Sequence, residues 1–499
     1  MRPEQLAGRL AAPLLCAVSL FAAGPEARLA DAAKKGDRAA VRALLEQRSD
    51  VNAPQVDGTT ALHWAALQDD LETAERLVRA GANVKAANRY GVTPLSLAST
   101  SGNGTMVELL LEAGADPNTA LPGGETVLMT AARTGKVEAV KALLSRGADV
   151  KVKESRRGQT ALMWAAAEGH VATVQALLQA GADLHARLDS GFTPFLFAVR
   201  EGRIGVVRAL LKAGADANDT TKTEQTTGRR LLYGGGRPRP GTSALILAVA
   251  NAHYELAAIL LDAGADPNAI GPGYTALHTV SGVRKPGLGD NDPAPQGSGN
   301  MTSLELVKKL AAHGANLNAR MTRRVNVGLT SLNTLGATPF FLAARTADAE
   351  LMRALAALGA DPLLPNADNS TPLMAAAGLG TRSPGEDAGT ESEVVEALQA
   401  ALDLGADINA VDNNGETALH GAAYKNLPAA VQFLADKGAK IEIWNRKNKF
   451  GWTPLVIASG YRFGNFKPSP VTVAVFHRVM RAAGVSTDLG QVAGRSAYQ

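Results

Sequence analysis

The side chains best suited to acid–base catalysis or metal binding in this 499-residue chain are its eight histidines. His63, His278 and His420 occupy the same place in a recurring Thr-x-Leu-His phrase, and His170 and His253 each lie in a turn between two helical stretches. The remaining three are scattered along the chain: His185, His313 and His477. None of the eight has the His-x-x-x-His or Glu-x-x-His spacing that presents two ligands on one helix face. We therefore predict no metal site.

Motifs for nucleophilic or phosphate chemistry are also missing from the sequence. It contains no Gly-x-Ser-x-Gly elbow and no Walker-type phosphate loop, and Gly234-Gly235-Gly236 does not follow a strand. The acidic run Asp290-Asn291-Asp292 lacks the glycine and the distal glutamate of an EF-hand loop. We therefore predict no catalytic residue and no cofactor, and expect that the chain is not an enzyme.

The N-terminal segment has the three parts of an export signal. Arg2 and Arg9 make a basic start, Leu10 to Ala23 is an apolar run, and small residues up to Gly24 could accept a signal peptidase. The apolar run is shorter than the roughly 20 residues that span a bilayer. We predict a signal peptide over 1–24 and export to the periplasm or the exterior, with an additional N-terminal helix as the alternative.

Loss of that signal would leave a mature chain without thiols. Cys16 is the only cysteine, and Leu15 before it is bulky where lipoprotein processing requires a small residue. Disulfides and cysteine chemistry would then be excluded together. No later segment is apolar enough to cross a membrane, so we expect no membrane insertion after signal removal.

Composition argues for small packed helices and against nucleic-acid binding. Hydrophobic residues make up 46% of the chain but aromatic residues only 4%. A formal net charge of +4 is too small for this length to create a field that would attract nucleic acid.

A phrase of glycine, one residue, Thr or Ser, a small residue or proline, and an apolar residue recurs eleven times, with Asn369 in place of the glycine in one copy. Its first five threonines are spaced 33 or 34 residues apart: Thr60, Thr93, Thr126, Thr160 and Thr193. A fixed period of this size indicates one supersecondary unit per repeat, stacked on its neighbours.

The residues of one unit predict two short helices. Thr160 is a good N-cap for a helix that Gly169 ends, and several other copies have proline at the first helical position. A second helix follows over 171–178, where apolar residues form one stripe, and Gly181 can take the left-handed conformation that caps it. A polar turn or hairpin, here called the finger, leads to the next unit.

These units resemble ankyrin repeats. The phrases at 60–66, 110–118 and 176–183 carry the resemblance, which extends over about 27–484. It implies an all-α ankyrin-repeat solenoid of helix-turn-helix units with hairpin-like fingers, about eleven repeats and an N-terminal cap. It also implies that the repeated histidines are structural, bonding across adjacent turns, and that the chain binds other proteins.

The period fails at four insertions, which divide the chain further. Before the first insertion we predict a signal peptide (1–24), an N-terminal capping repeat (27–52) and regular repeats (53–218). A basic inserted loop (219–240) follows, and then a segment of repeats over 241–449 that contains insertions at 282–301, 320–335 and 380–392. The chain ends in a divergent C-terminal capping repeat (450–484) and a tail (485–499). Two insertions, 219–240 and 320–335, extend fingers, whereas 282–301 and 380–392 separate the two helices of a unit and bulge from the other side.

The two finger insertions are basic, and 380–393 is mainly acidic. This pattern fits either solubilising loops or a docking strip for an acidic partner. Among the tryptophans, Trp64 and Trp164 occupy a packing position of the first helix, whereas Trp444 and Trp452 flank a basic finger and are expected to be exposed.

The predicted function is recognition of a protein partner of unknown identity by a monomeric scaffold, with contacts from finger tips, first-helix ends and inserted loops. The residues that we expect to contact the partner are Arg89, Tyr90, Arg156, Arg157, Arg200, Glu201, Arg229, Arg230, Asn413 and Asn414. Two alternatives remain: a non-catalytic subunit of an exported enzyme, and a ligand-binding or catalytic site built from the inserted loops.

Overall fold

A computed structural model describes residues 27–221, 239–287, 295–325, 330–462, 464 and 467–489. The described residues form helices joined by turns, with no β-strand among them beyond three isolated bridges. The chain divides into two compact parts, here called the first unit (1–149) and the second unit (150–499), and each of them contains several repeats. The signal peptide predicted at 1–24 and the tail from 490 onward lie outside the described residues.

Helices of the first unit come in four pairs, each with a short turn between its members. They are α1 (Arg28–Lys34), α2 (Arg38–Glu46), α3 (Ala61–Leu67), α4 (Leu71–Arg79), α5 (Pro94–Ser101), α6 (Gly104–Glu112), α7 (Val127–Thr134) and α8 (Val137–Ser145). The predicted N-terminal cap over 27–52 thus contains a helix pair of its own.

Helices of the second unit continue the paired pattern, with one additional short helix in the last finger. They are α9 (Ala161–Glu168), α10 (Val171–Gln179), α11 (Pro194–Arg200), α12 (Ile204–Lys212), α13 (Ala244–Ala250), α14 (Tyr254–Asp262), α15 (Ala276–Arg284), α16 (Ser303–Ala312), α17 (Pro339–Arg345), α18 (Ala349–Ala357), α19 (Pro372–Ala376), α20 (Glu391–Asp403), α21 (Ala418–Tyr424), α22 (Pro428–Asp436), α23 (Ile441–Trp444), α24 (Pro454–Ala458) and α25 (Pro470–Ala482).

The caps of these helices follow the sequence prediction. The Thr160 hydroxyl accepts a hydrogen bond from the backbone N–H of Met163 and begins α9, and Gly169 ends it at a φ of 92°. Gly181 has a φ of 86° after α10, which only glycine adopts readily. Local capping therefore fixes where helices such as α9 begin and end, and the prediction of paired short helices is confirmed.

Each unit is a stack in which like helices pack on like helices. In the first unit α1, α3, α5 and α7 contact one another in order, and α4, α6 and α8 form a second layer. In the second unit the first helices pack from α9 through α11, α13, α15, α17, α19 and α21 to α24. Alanine and leucine fill the layer between them, so the core is a continuous strip without a single centre.

Asparagine side chains join consecutive fingers along the stack. The Asn268 amide donates to the carbonyl oxygen of Gly314 (2.9 Å), and its oxygen accepts the backbone N–H of Asn316 (2.7 Å). Asn218 makes the same two bonds with Gly264 and Asp266. The periodicity places these asparagines two residues after the acid of the Gly-Ala-Asp phrase, and their bonds set the spacing of the fingers.

Trp444 corrects an expectation from the sequence. It is 2% exposed, and its ring lies 5.8 Å from that of Phe476. The finger folds into α23, which turns the indole inward, so this tryptophan packs the C-terminal pair and does not face solvent. Trp452 is partly exposed.

The insertions contribute to helices at two of their edges. The insertion at 282–301 begins inside α15, which continues to Arg284, and the insertion at 380–392 ends inside α20, which begins at Glu391. Within the described part of the chain, no helix is both long and apolar enough to cross a membrane.

Candidate recognition surface

Arg89 and Tyr90 lie at an exposed finger tip of the first unit. Their backbone is held in place, because the N–H of Arg89 donates to the carbonyl oxygen of Asp57 on the preceding finger (2.9 Å). The Arg89 guanidinium donates to the Tyr90 hydroxyl (2.5 Å) and stacks over its ring, and Tyr90 is 56% exposed. This tip presents a cation and an aromatic ring from a fixed backbone.

Arg156 and Arg157 are exposed at a tip that the buried carboxylate of Glu154 organises. That carboxylate accepts the backbone N–H groups of Arg156 (2.6 Å), Arg157 (2.7 Å) and Gln159 (3.1 Å). Burial acts to raise the pKa of Glu154, but these three hydrogen bonds outweigh it and the net shift of its pKa is downward. An ionised glutamate thus holds the loop and leaves both guanidinium groups in solvent.

Arg200 and Glu201 pair with each other at the end of α11. Arg200 Nε donates to Glu201 Oε1 (2.7 Å), and the guanidinium lies 5.0 Å from the centre of the Phe197 ring. Each side chain keeps more than a third of its surface exposed.

Asn413 and Asn414 differ in what they offer to a partner. Asn413 is exposed, and its backbone N–H donates to the carbonyl oxygen of Asp368 (3.0 Å). The side-chain amide of Asn414 is already used, because it donates to Asp412 and accepts from Lys449 Nζ (2.5 Å). The two remaining candidate residues lie outside the described residues: Arg229 and Arg230.

Ion pairs join the insertion at 380–392 and the adjacent Glu393 to other repeats of the fold. Asp387 accepts a hydrogen bond from buried Arg345 (2.7 Å), and Lys285 bonds Glu393 (2.5 Å), whose pKa that bond lowers to about 2. The Lys425 ammonium donates to the carbonyl oxygen of Ala388, and burial lowers its pKa to about 8. Asp387 and Glu393 are therefore engaged by the fold, which argues against a purely solubilising role for this segment.

The insertions at 320–335 and 380–392 meet, although the sequence placed them on opposite sides of the repeats. The backbone N–H of Ser331 donates to the carbonyl oxygen of Gly380 (2.8 Å), the hydroxyl of Thr330 donates to the same oxygen (3.0 Å), and Thr330 forms a bridge with Thr381. The finger insertion folds down over the first-helix surface and reaches the end of α19.

A cleft of about 230 Å³ lies beneath this contact in the second unit. Its inner part consists of buried residues: Leu332, Ser370, Leu379, Gly380, Glu416 and Tyr424. Its outer part is more exposed: Arg324, Ser331, Asn333, Asp368, Asn414, Lys449 and Phe450. The cleft therefore combines an inserted loop with three successive fingers and the end of α21.

Glu416 is the charged group of the inner cleft. It is 7% exposed, and its Oε1 accepts the Tyr424 hydroxyl (2.8 Å) and the side-chain amide of Asn448 (2.8 Å). Its Oε2 accepts no hydrogen bond from a described residue. Burial raises the pKa of Glu416 above its ordinary value despite the two donors.

Family comparisons match the repeats. The family described as ankyrin repeats (3 copies) matches 29–121, 128–221 and 388–467, which together exceed half of the chain, and a single ankyrin repeat matches 241–271. The chain belongs to the ankyrin repeat family. Ankyrin repeats generally mediate protein–protein interaction and are typically non-catalytic scaffolds.

Two of the three repeated histidines, His63 and His278, make both bonds of the structural role that ankyrin repeats imply. In His420 only Nδ1 is bonded, to the backbone N–H of Thr417 (3.1 Å), and its Nε2 has no hydrogen-bond partner among the described residues. The Nδ1 atoms of His63 and His278 accept the backbone N–H of their N-cap threonines (3.1 and 3.2 Å). Their Nε2 atoms bond carbonyl oxygens at the start of the following repeat, those of Val92 (3.0 Å) and Ala337 (3.1 Å). No group of three potential metal-ligating side chains occurs in the described residues, and the Asp290-Asn291-Asp292 run lies outside them.

Sequence reasoning missed the cleft, and among its lining residues it named only Asn414 as a contact residue. Glu416 and Asp368 stand in ordinary finger positions of two ankyrin repeats, and neither has unusual neighbours in the chain. The sequence did mark Glu416 as unusual, because most copies of the repeated phrase have an uncharged residue between the glycine and the threonine. The structure brings these two residues together with the inserted loop.

Proposed function

We propose that this chain is a recognition scaffold that binds a protein partner through finger tips, first-helix surface and inserted loops. The supporting observation is the contrast between backbone and side chain at the tips. The backbones of Arg89, Arg157 and Asn413 are hydrogen-bonded to the framework, whereas their side chains face solvent. Binding to such tips does not have to order the loop, which lowers the entropic cost of association.

Apolar side chains at the first-unit surface support the same proposal. Val56 is fully exposed at one finger tip, Tyr90 is 56% exposed at the next, and Leu67 is 46% exposed at the end of α3. Exposed aromatic and aliphatic groups near arginine have the composition of interface centres.

Photo-crosslinking tests this proposal without knowledge of the partner. A benzophenone amino acid would replace Tyr90, Arg157 or Asn413 in turn, and the chain would be irradiated in its native compartment. Exposed positions on the second helices, Lys141 in α8 and Arg208 in α12, serve as controls. We expect the tip positions to capture one common protein and the control positions not to capture it. Equal capture from α8 and α12 would contradict the proposal.

The same experiment addresses the alternative that the chain is a subunit of an exported enzyme. If the common captured protein is an enzyme present in stoichiometric amount, the scaffold serves that enzyme.

Export is part of the proposal and rests on the basic start and apolar run before residue 25. N-terminal sequencing of the protein isolated from its host tests this part. A mature chain that starts after about residue 24 would support export, and one that starts at Met1 would refute it.

A further inference from the structure

Among its described residues, the inner cleft of the second unit has acceptor oxygens but no unused side-chain donor. The Tyr424 hydroxyl and the Asn448 amide donate to Glu416 Oε1, and the Ser370 hydroxyl donates to Asp412 (2.8 Å). Glu416 Oε2 is left without a hydrogen bond from the described residues. A desolvated carboxylate oxygen of this kind is satisfied best by a charged donor.

A second carboxylate stands at the edge of the same space. Asp368 is half-buried, and its Oδ1 accepts the side-chain amide of Asn333 (3.0 Å). Its Oδ2 accepts no hydrogen bond from the described residues. An occupant that bonds both oxygens must donate from two sides of one head group, as the planar guanidinium of arginine or the three protons of lysine can do.

The walls of the cleft suit the aliphatic part of such a side chain. Leu332 and Leu379 are 7% and 3% exposed, and Phe450 stands at the outer edge. Long basic side chains bury their methylene groups against apolar walls while the head group finds polar partners. A volume of about 230 Å³ admits one side chain and excludes a folded domain.

The two cations of the cleft lie at its exposed rim. Arg324 donates to the carbonyl oxygen of Ser331 (3.0 Å), and Lys449 donates to Asn414 (2.5 Å). Both side chains reach solvent, so they repel further positive charge outside the cleft. The charge of Lys449 also acts to lower the pKa of Glu416, but burial outweighs it and the net shift of that pKa is upward. The rim therefore favours a single basic residue with neutral or acidic neighbours over a polybasic segment.

We infer that this cleft binds one arginine or lysine side chain of the partner protein, with its cationic head group between Glu416 and Asp368. The inference rests on the proposed function in one respect, which is that the bound side chain belongs to a protein. Charge complementarity selects the occupant, because an anion would meet two carboxylates and an uncharged side chain would leave Glu416 Oε2 without a charged donor.

Single amino-acid probes test the cleft directly. Leucine methyl groups would be labelled in the full chain, and the signals of Leu332 and Leu379 followed by NMR. The probes are N-acetyl-arginine methylamide and N-acetyl-lysine methylamide, and the citrulline analogue is the neutral control of matching shape. We expect at least one cationic probe to shift both signals saturably, with at least tenfold weaker binding of the citrulline analogue.

Two variants and a control locate the effect. Glu416→Gln and Asp368→Asn should each weaken binding of the cationic probe by at least fivefold, and Asp368→Asn keeps the test valid if loss of the Glu416 charge disturbs folding. Asp189→Asn changes an exposed finger carboxylate of the same unit outside the cleft and should leave binding unchanged. Equal binding of the citrulline analogue, or no shift with either cation, would overturn the inference. Crosslinking from Tyr90 would be unaffected by that failure, so the two proposals are separable.

Discussion

The backbone N–H of Ser331 donates a 2.8 Å hydrogen bond to the carbonyl oxygen of Gly380, and this bond closes the inserted loop over the cleft. Gly380 has a φ of +77°, and a Cβ added to it would lie 2.7 Å from the backbone nitrogen of Leu332. The junction of the two insertions thus depends on the absence of a side chain at one position.

We expect Gly380→Ala to lower the free energy of unfolding by about 2–4 kcal/mol, because it adds a clash with rigid backbone to the cost of a positive φ. Urea unfolding followed by circular dichroism measures the change. Gly385→Ala is the matched control, since Gly385 lies in the same insertion at a φ of +88° with no atom within 4 Å of the added carbon. It should cost only about 1 kcal/mol, and equal losses in the two variants would show that the junction is not tight.

Asn268 tests the asparagine bonds between fingers. Asn268→Ala removes both side-chain hydrogen bonds to the next finger and should destabilise the chain by about 1–2 kcal/mol, with faster amide exchange at Asn316. His185 occupies the corresponding position of an earlier finger, and its side chain is exposed. His185→Ala should change stability by less than about 0.5 kcal/mol. An equally small loss of stability in both variants would show that the asparagine bonds do not stabilise the stack.

Buried histidines make the fold sensitive to acid. Burial lowers the pKa of His278 and of His420 to about 4, compared with about 6.5 in the unfolded chain. The unfolded state therefore binds more protons between pH 6.5 and 4, and stability falls as the pH falls through that range. Each histidine should cost about 2 kcal/mol between pH 7 and pH 5.

Comparison of variants isolates this contribution from other titrating groups. The free energy of unfolding of the unaltered chain and of His278→Gln would be measured at pH 7 and pH 5. The variant should lose about 2 kcal/mol less between the two pH values, whatever its stability at pH 7. His185→Gln, at an exposed position, should keep the full pH dependence. An unchanged dependence in His278→Gln would refute the assignment.

Arg462 joins the last repeat to the repeat before it. It is 2% exposed, and its guanidinium donates to the carbonyl oxygens of Tyr424 (2.8 Å) and Lys467 (3.0 Å) and to Asn426 Oδ1 (2.8 Å). Arg462→Met removes these hydrogen bonds and should cost about 2–4 kcal/mol, with hydrogen exchange accelerated first in α24 and α25. Arg481→Met, at an exposed position of α25, should have little effect.

The sequence predicted the paired helices because their signals are local. Thr160, Gly169 and Gly181 each act within a few residues, so capping chemistry identifies them without any tertiary information. The cleft could not be predicted in this way. Its formation requires Ser331 to reach Gly380 and Glu416 to lie under the same loop, and no period in the chain encodes either distance.

Trp444 illustrates the same limit. Basic neighbours suggested an exposed finger, but a four-residue helix, α23, turns the indole onto Phe476. Among the predicted contact residues that the structure describes, the exposed ones are Arg89, Tyr90, Arg156, Arg157, Glu201 and Asn413, because the finger tips and first-helix ends of a repeat are fixed by its period. Asn414 lies at a tip as well, yet the neighbouring finger uses its amide.

The pair between Lys285 and Glu393 links positions 108 residues apart and joins two repeats that are not adjacent, whereas most contacts in a stack of repeats are between immediate neighbours. Short-range contacts allow such arrays to form quickly from any starting unit, but a long-range closure must wait until every unit between its ends is in place. The segment from α15 to α20 should consequently behave as one cooperative block. The cleft that adjoins it would be completed late in folding and would open early when the chain is pulled or heated.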